Sequence, residues 1–158
     1  MKLAEALILR SDLQKKIQEL RFRLRNVIKI QEGEEAAENP ADLFRELNGI
    51  LEQFESLVQR INKTNSLTEY AEGMTITDAL ARREKLQLKR SVLSDVMDTA
   101  SIRYDRTSRT EIKFITTVDI SALQKQIDEL AKEHRKLDTR IQELNWTTEL
   151  IESSLSSS

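Results

Sequence analysis

The sequence predicts a mainly α fold, an antiparallel bundle of four long helices with coiled-coil-like seams and a small β element. Three observations lead to this prediction. Apolar residues recur at steps of three and four, the 158 residues include only one Pro and three Gly, and charged residues make up 33% of the chain. Such steps keep side chains on one face of a helix, and the scarcity of Gly and Pro leaves long helices unbroken.

The first and last helices have the clearest seams. The last one is predicted from Ile120 to Ile151, with only His134 and Thr148 interrupting its apolar steps. The first one is predicted over about residues 2–28, where Arg10 shares the stripe with an apolar set: Leu3, Ala6, Leu13, Ile17, Leu20, Leu24 and Val27. Each narrow stripe indicates a helix that packs against another helix.

The two middle helices differ in regularity. Helix two is predicted to begin at Pro40 after an N-cap at Asn39, and its apolar stripe is the broader one. Helix three is predicted to run from an N-cap at Thr77 to about residue 102. Its apolar positions are interleaved with basic residues, so this helix is not expected to pack only against an apolar core.

Two segments are candidates for β structure. Residues 67–76 favour a small hairpin or a plain loop, because short apolar stretches surround Gly73. Residues 111–118 alternate and are rich in β-branched side chains, which predicts a strand. Its partner would be the 67–76 segment or a second subunit, since an isolated strand leaves backbone groups unpaired.

Composition limits the class of protein. Residues 1–152 are expected to form one domain, followed by a frayed Ser-rich tail at 153–158. The chain has no Cys, and its net charge of −2 argues against binding nucleic acid through bulk charge. It lacks the pattern of a signal peptide or transmembrane helix, so a cytoplasmic protein without a membrane role is expected. Residues 1–30 contain eight Lys or Arg and three Asp or Glu, whereas residues 31–72 contain three Lys or Arg and ten Asp or Glu. Neighbouring antiparallel helices should therefore attract one another.

Polar residues near the expected helix ends define a candidate site for a small anion or for an interface. Arg82, Arg83 and Arg109 could converge on a carboxylate or phosphate. Amide contacts would come from Asn62 and Asn65, and a carboxylate partner for the arginines from Glu111. Asn145 and Trp146 fit an interface anchor better than a ligand platform.

A second polar pair lies on the helix seams. Arg10 and His134 are the polar members of otherwise apolar stripes, and they predict a buried polar layer that fixes helix register. A buried His is expected to be hydrogen-bonded to a carboxylate or to Arg10. The Glu-x-x-His spacing of helical di-iron sites is absent because position 131 is Ala, so no metal ligand is assigned.

No enzyme signature is present: a Gly-rich phosphate loop, a Gly-x-Ser-x-Gly elbow and a His-Glu-x-x-His pair are all missing. No catalytic residue and no cofactor is therefore assigned. The favoured function is a structural or protein-interaction bundle that forms a homo-oligomer through its helix seams and loop strand. A small-anion binder is the alternative that the residues themselves suggest.

Five separated stretches resemble the septicolysin-like family of small helical bacterial proteins. They are Met1-Lys-Leu-Ala-Glu-Ala-Leu7, Ile61-Asn-Lys-Thr-Asn65, Asp78-Ala-Leu-Ala-Arg-Arg83, Ser108-Arg-Thr-Glu-Ile-Lys113 and Asn145-Trp-Thr-Thr-Glu-Leu150. The resemblance implies a helical fold and, through the family's name, haemolysin-like pore formation. It carries over no catalytic or binding residue.

Overall fold

The computed structural model describes residues 1–101 and 113–152, and the described chain contains four helices and one two-stranded sheet. The helices are α1 (Leu3–Val27), α2 (Pro40–Leu67), α3 (Ile76–Ser101) and α4 (Ile120–Thr147); the strands are β1 (Glu69–Ala71) and β2 (Met74–Thr75). The prediction of a mainly α fold with a small β element is confirmed.

The chain divides into two compact units. Unit 1 comprises Met1–Ile76 and Gln142–Ser158, and unit 2 comprises Thr77–Ile141, so α4 contributes residues to both. A single domain over 1–152 stays a prediction. The Ser-rich tail at 153–158 lies outside the described residues.

In unit 1, α1 and α2 pack against each other in opposite directions. Leu20, Leu24 and Val27 at the end of α1 form a buried cluster with Leu43 at the beginning of α2, and Leu47 packs against it. Burying a side chain of this size contributes about 1.5–3 kcal/mol relative to leaving it exposed. The seam predicted for helix one is thus the face that meets helix two.

The helix N-termini are capped largely as the residue types predict. The Asn39 side chain accepts a hydrogen bond from the Ala41 backbone N–H at 3.0 Å, directly before Pro40. Asp119 accepts one from the Ala122 N–H at 3.1 Å. Both carboxamide and carboxylate oxygens satisfy N–H groups that have no partner inside the helix. The predicted cap at Thr77 is wrong, because α3 already begins at Ile76.

Of the two alternatives for residues 67–76, a hairpin or a plain loop, the structure has the hairpin, whereas the strand predicted at 111–118 is not found in its described part. β1 and β2 pair antiparallel, with Glu69 opposite Thr75, and Gly73 takes the positive φ of 73° that the turn requires. Residues 113–118 form no strand, and 111–112 lie outside the described residues. Within the described chain the two hairpin strands pair only with each other, so residues 113–118 have no strand with which to pair.

The last helix ends earlier than its seam predicts. α4 stops at Thr147, and the chain continues in extended form beside the N-terminus. The Leu3 N–H donates to the Thr148 carbonyl at 2.9 Å, and the Leu150 N–H donates to the Met1 carbonyl at 2.8 Å. Leu150 stays buried in this extended form, so pairing between chain ends replaces the last helical turn without exposing the apolar side chain.

In unit 2, α3 and α4 each bury a set of apolar side chains. Within unit 2, Ala79 and Leu86 are buried apolar residues of α3, and Leu123, Leu130 and Leu137 repeat every seven residues on α4. An ion pair between Arg83 and Asp138 brings the second turn of α3 beside the C-terminal part of α4.

Candidate functional site

The residues of the predicted anion or interface site are divided between the two units. Asn62, Asn65, Asn145 and Trp146 belong to unit 1, and Arg82 and Arg83 belong to unit 2. Arg109 and Glu111 lie outside the described residues. Asn145 is buried at 6% exposure, whereas Trp146 is 55% exposed. Asn62 and Arg82 are exposed, and Asn65 and Arg83 are half-buried. A common anion site for these residues stays a prediction.

Arg83 is engaged in an ion pair inside unit 2. Its Nη1 donates to Asp138 Oδ1 at 2.7 Å, with side-chain exposures of 30% and 36%. A guanidinium beside an apolar stripe is costly unless a carboxylate compensates it, and Asp138 supplies that carboxylate here. The Asp138 carboxylate already neutralises part of the Arg83 charge that would otherwise attract an anion.

His134 and Arg10 are both half-buried and belong to different units. The Nε2 atom of His134 is buried and has no hydrogen-bond partner among residues 1–101 and 113–152. The expected hydrogen bond is therefore not made at this nitrogen, although Asp138 lies one helical turn away. Asp138 Oδ1 accepts a hydrogen bond from Arg83 instead. A polar layer formed by Arg10 and His134 stays a prediction.

Thr64 is a structural polar residue that the sequence analysis missed. It is 1% exposed; its hydroxyl donates to the Arg60 carbonyl at 2.7 Å and accepts from the Ile151 N–H at 3.0 Å. The second bond joins α2 to the C-terminal segment. A Thr at a seam position was the available signal, but its partner lies 87 residues away in sequence.

Two carboxylates of unit 1 have perturbed acidity. Hydrogen bonds from the Arg23 guanidinium lower the pKa of Glu38 below its ordinary value, and Arg23 Nε lies 3.1 Å from Glu38 Oε2. Hydrogen bonding by Lys2 likewise lowers the pKa of Glu149. The first pair holds the loop between α1 and α2 against α1, and the second holds the chain ends together. Both positions are structural contacts, since each cation is matched by a carboxylate.

A groove of about 410 Å³ runs along α1 and α2. Its lining mixes apolar side chains with both signs of charge: Lys16, Glu19, Leu20, Arg23, Arg45, Glu46, Gly49, Ile50 and Gln53. The guanidinium of Arg23 is held by Glu38, and Arg45 pairs with Asp42 at 2.9 Å. The groove therefore offers no concentrated positive charge, and it contains none of the residues of the predicted anion site.

The outward face of α3 is unexpectedly apolar. Leu88, Val92 and Val96 follow one another at steps of four and are 62%, 60% and 38% exposed. Buried Leu86 precedes Leu88 by two residues, which places the two side chains on roughly opposite faces of the helix. This explains why helix three shows the least regular pattern: it carries apolar residues on both faces.

Within residues 1–101 and 113–152, no group of three or more His, Asp or Glu side chains is placed to hold a metal ion. In the same ranges, no helix is long and apolar enough to cross a membrane.

Comparison with known proteins corrects the family assignment. The solved structure of "a functionally unknown conserved protein from Corynebacterium diphtheriae" is 48% identical in sequence, with a TM-score of 0.90; the match covers 96% of this chain and 99% of that one. No functionally curated protein matches the chain.

The matching family is described as "Family of unknown function (DUF6847)" and covers residues 10–150. The septicolysin-like assignment is wrong, because the family model that matches residues 10–150 is a different one. The pore-forming alternative rested on that family's name and loses its basis. The chain belongs to the family of unknown function DUF6847.

Proposed function

We propose that this protein is a helical interaction module that binds a second copy of itself through the outward face of α3. The observation that supports this proposal is the exposed apolar row Leu88, Val92 and Val96. Scattered surface apolar residues are ordinary, but a row at steps of four on one helix forms a continuous stripe. Such a stripe is what one helix presents to another.

The row is also self-complementary. If a second α3 packs antiparallel about a two-fold axis at Val92, then Leu88 of one copy faces Val96 of the other. Val92 then faces its own counterpart. Identical patches that meet in this way form the commonest kind of homodimer interface. Each Leu or Val that becomes fully buried contributes about 1.5–3 kcal/mol relative to full exposure, so association has a clear driving force.

The test compares two double variants by light scattering and by circular dichroism. Leu88→Glu with Val92→Glu puts two carboxylates into the proposed contact. Gln87→Glu with Ser91→Glu introduces the same two residues at the same spacing, on an adjacent exposed part of α3. We expect the wild-type protein and the Gln87/Ser91 variant to keep the same mass above that of one chain, and the Leu88/Val92 variant to lose mass while keeping its helical signal.

Two results would overturn the proposal. One is a wild-type mass equal to a single chain at high micromolar concentration. The other is an equal mass for the two folded double variants, because a contact through this row cannot tolerate carboxylates at its centre.

A further inference from the structure

We propose that residues 113–119 form a second contact between copies, in which the segment pairs antiparallel with itself about Thr116. This inference rests on the proposed self-association and names an additional surface for it. The segment immediately precedes α4 and lies wholly within unit 2. Its sequence is Lys-Phe-Ile-Thr-Thr-Val-Asp.

The segment carries three apolar side chains that are exposed to solvent. Ile115 is 86% exposed, Phe114 65% and Val118 38%. β-Branched and aromatic residues of this kind favour strands because they pack across neighbouring chains. Exposed extended segments with such residues are templates for pairing with another chain.

The sequence of the segment is complementary to itself in one register. With Thr116 opposite Thr116, Lys113 stands opposite Asp119 and Phe114 opposite Val118. These are an opposite-charge pair and an aromatic pair with a β-branched residue, and each type of cross-strand pair contributes about 0.2–1 kcal/mol. A two-fold axis makes every such pair occur twice, and only the central Thr pair occurs once.

The local structure leaves this register accessible. The Thr116 hydroxyl bends the chain by contacting Val118, with its Oγ1 3.3 Å from the Val118 nitrogen and 3.4 Å from the Val118 carbonyl oxygen. Both distances are long for hydrogen bonds, so these two contacts offer little resistance to a straighter chain. Asp119 Oδ1 caps α4, while the residue as a whole is exposed and its carboxylate can also accept from Lys113.

The absence of Cys from the chain allows a direct test of the register. Thr116→Cys places its thiol beside the same thiol of the second copy, at a Cα separation compatible with a disulfide. Thr117→Cys is the control, because position 117 faces Ile115 and its side chain points to the other face. Under identical mild oxidation of the full chain, we expect severalfold more disulfide-linked dimer from Thr116→Cys.

A charge variant tests the same register independently. Lys113→Asp, added to Thr116→Cys, sets two carboxylates opposite each other and should reduce the dimer yield. Lys125→Asp makes the same change at an exposed site on α4 and should leave the yield unchanged. Equal yields from Thr116→Cys and Thr117→Cys, or equal effects of the two Asp variants, would overturn the inference.

The outcomes separate this inference from the proposed function. Loss of mass in the Leu88/Val92 variant with equal Cys yields supports the α3 contact and refutes the strand contact. Preferential Thr116→Cys dimers without any effect of the Leu88/Val92 change support the strand contact and refute the α3 contact.

Discussion

Replacing Thr64 by Val should release the C-terminal segment from α2 while preserving the shape of the side chain. The hydroxyl is the acceptor for the Ile151 N–H at 3.0 Å and lies at a position that is 1% exposed. A lost hydrogen bond of this kind costs about 0.5–1.5 kcal/mol, and a buried group left without a partner costs about 1–3 kcal/mol. Because Ile151 is only half-buried, water can reach part of the freed N–H. We therefore expect a loss of about 1–2 kcal/mol in the free energy of unfolding.

The assay combines thermal unfolding with amide hydrogen exchange. A loss of about 1–2 kcal/mol corresponds to a decrease in Tm of about 2–8 °C for a chain of this size. Hydrogen exchange at the Ile151 amide should accelerate, because opening of the C-terminal segment would no longer require the hydrogen bond between Ile151 and Thr64 to break. Thr64→Ser keeps the hydroxyl and should keep this amide protected even if the missing methyl group lowers Tm.

Thr68→Val is the matched control for the helix itself. The Thr68 hydroxyl also donates to a carbonyl four residues earlier, at 2.7 Å, but in the part of the chain that the structure describes it accepts no distant N–H. If Thr64→Val and Thr68→Val lower the free energy of unfolding equally, and if the Ile151 amide keeps its protection, then Thr64 does not link α2 to the C-terminal segment.

Three further predictions concern charged and polar side chains. Because the folded pKa of Glu38 is lowered, its pairing with Arg23 contributes stability that is present above the unfolded pKa and is lost as pH falls through the folded pKa. Arg23→Gln should therefore be destabilising in urea at pH 7, and the difference from wild type should shrink as the pH is lowered through the folded pKa. His134→Leu removes a buried nitrogen that has no hydrogen-bond partner among the described residues, and it should raise the free energy of unfolding by about 1 kcal/mol. A free energy of unfolding below that of the wild-type protein would show that this nitrogen does make a hydrogen bond. Arg83→Met and Asp138→Asn, combined in a double-mutant cycle, should give a coupling of about 0.5–1 kcal/mol because both side chains are partly exposed; no coupling would mean that the ion pair adds nothing.

Local patterns were sufficient to predict four helices, although not the end of α4 or the beginning of α3, and they left residues 67–76 open between a hairpin and a loop. The cap at Asn39 and the turn at Gly73 depend on the conformations of a few consecutive residues, so residue type predicts them well. The predicted strand at 111–118 failed over its described part because a strand also needs a partner. An alternating pattern of β-branched residues indicates side chains that suit a strand, but it does not indicate which segment supplies the partner for the backbone hydrogen bonds.

Little of the candidate site could be predicted. The arginine and asparagine residues were grouped by type and by position near helix ends, yet Arg83 contacts Asp138, which the grouping did not include. The exposed row on α3 was seen only as an irregular pattern. Apolar residues on two faces of one helix look alike in sequence, and only side-chain exposure distinguishes the buried Leu86 from the exposed Leu88.

The sequence alone determined that the chain is mainly helical, where α1 and α2 lie, and which face of each is apolar. These properties follow from a repeat of 3.6 residues and from residues that cap or turn the chain over a few positions. The tertiary structure alone decided that α4 ends at Thr147, that Thr64 holds Ile151, and that Leu88 and Val92 face solvent. Each of these depends on residues distant in sequence competing for the same backbone groups or the same buried space, and no local pattern records the outcome of that competition.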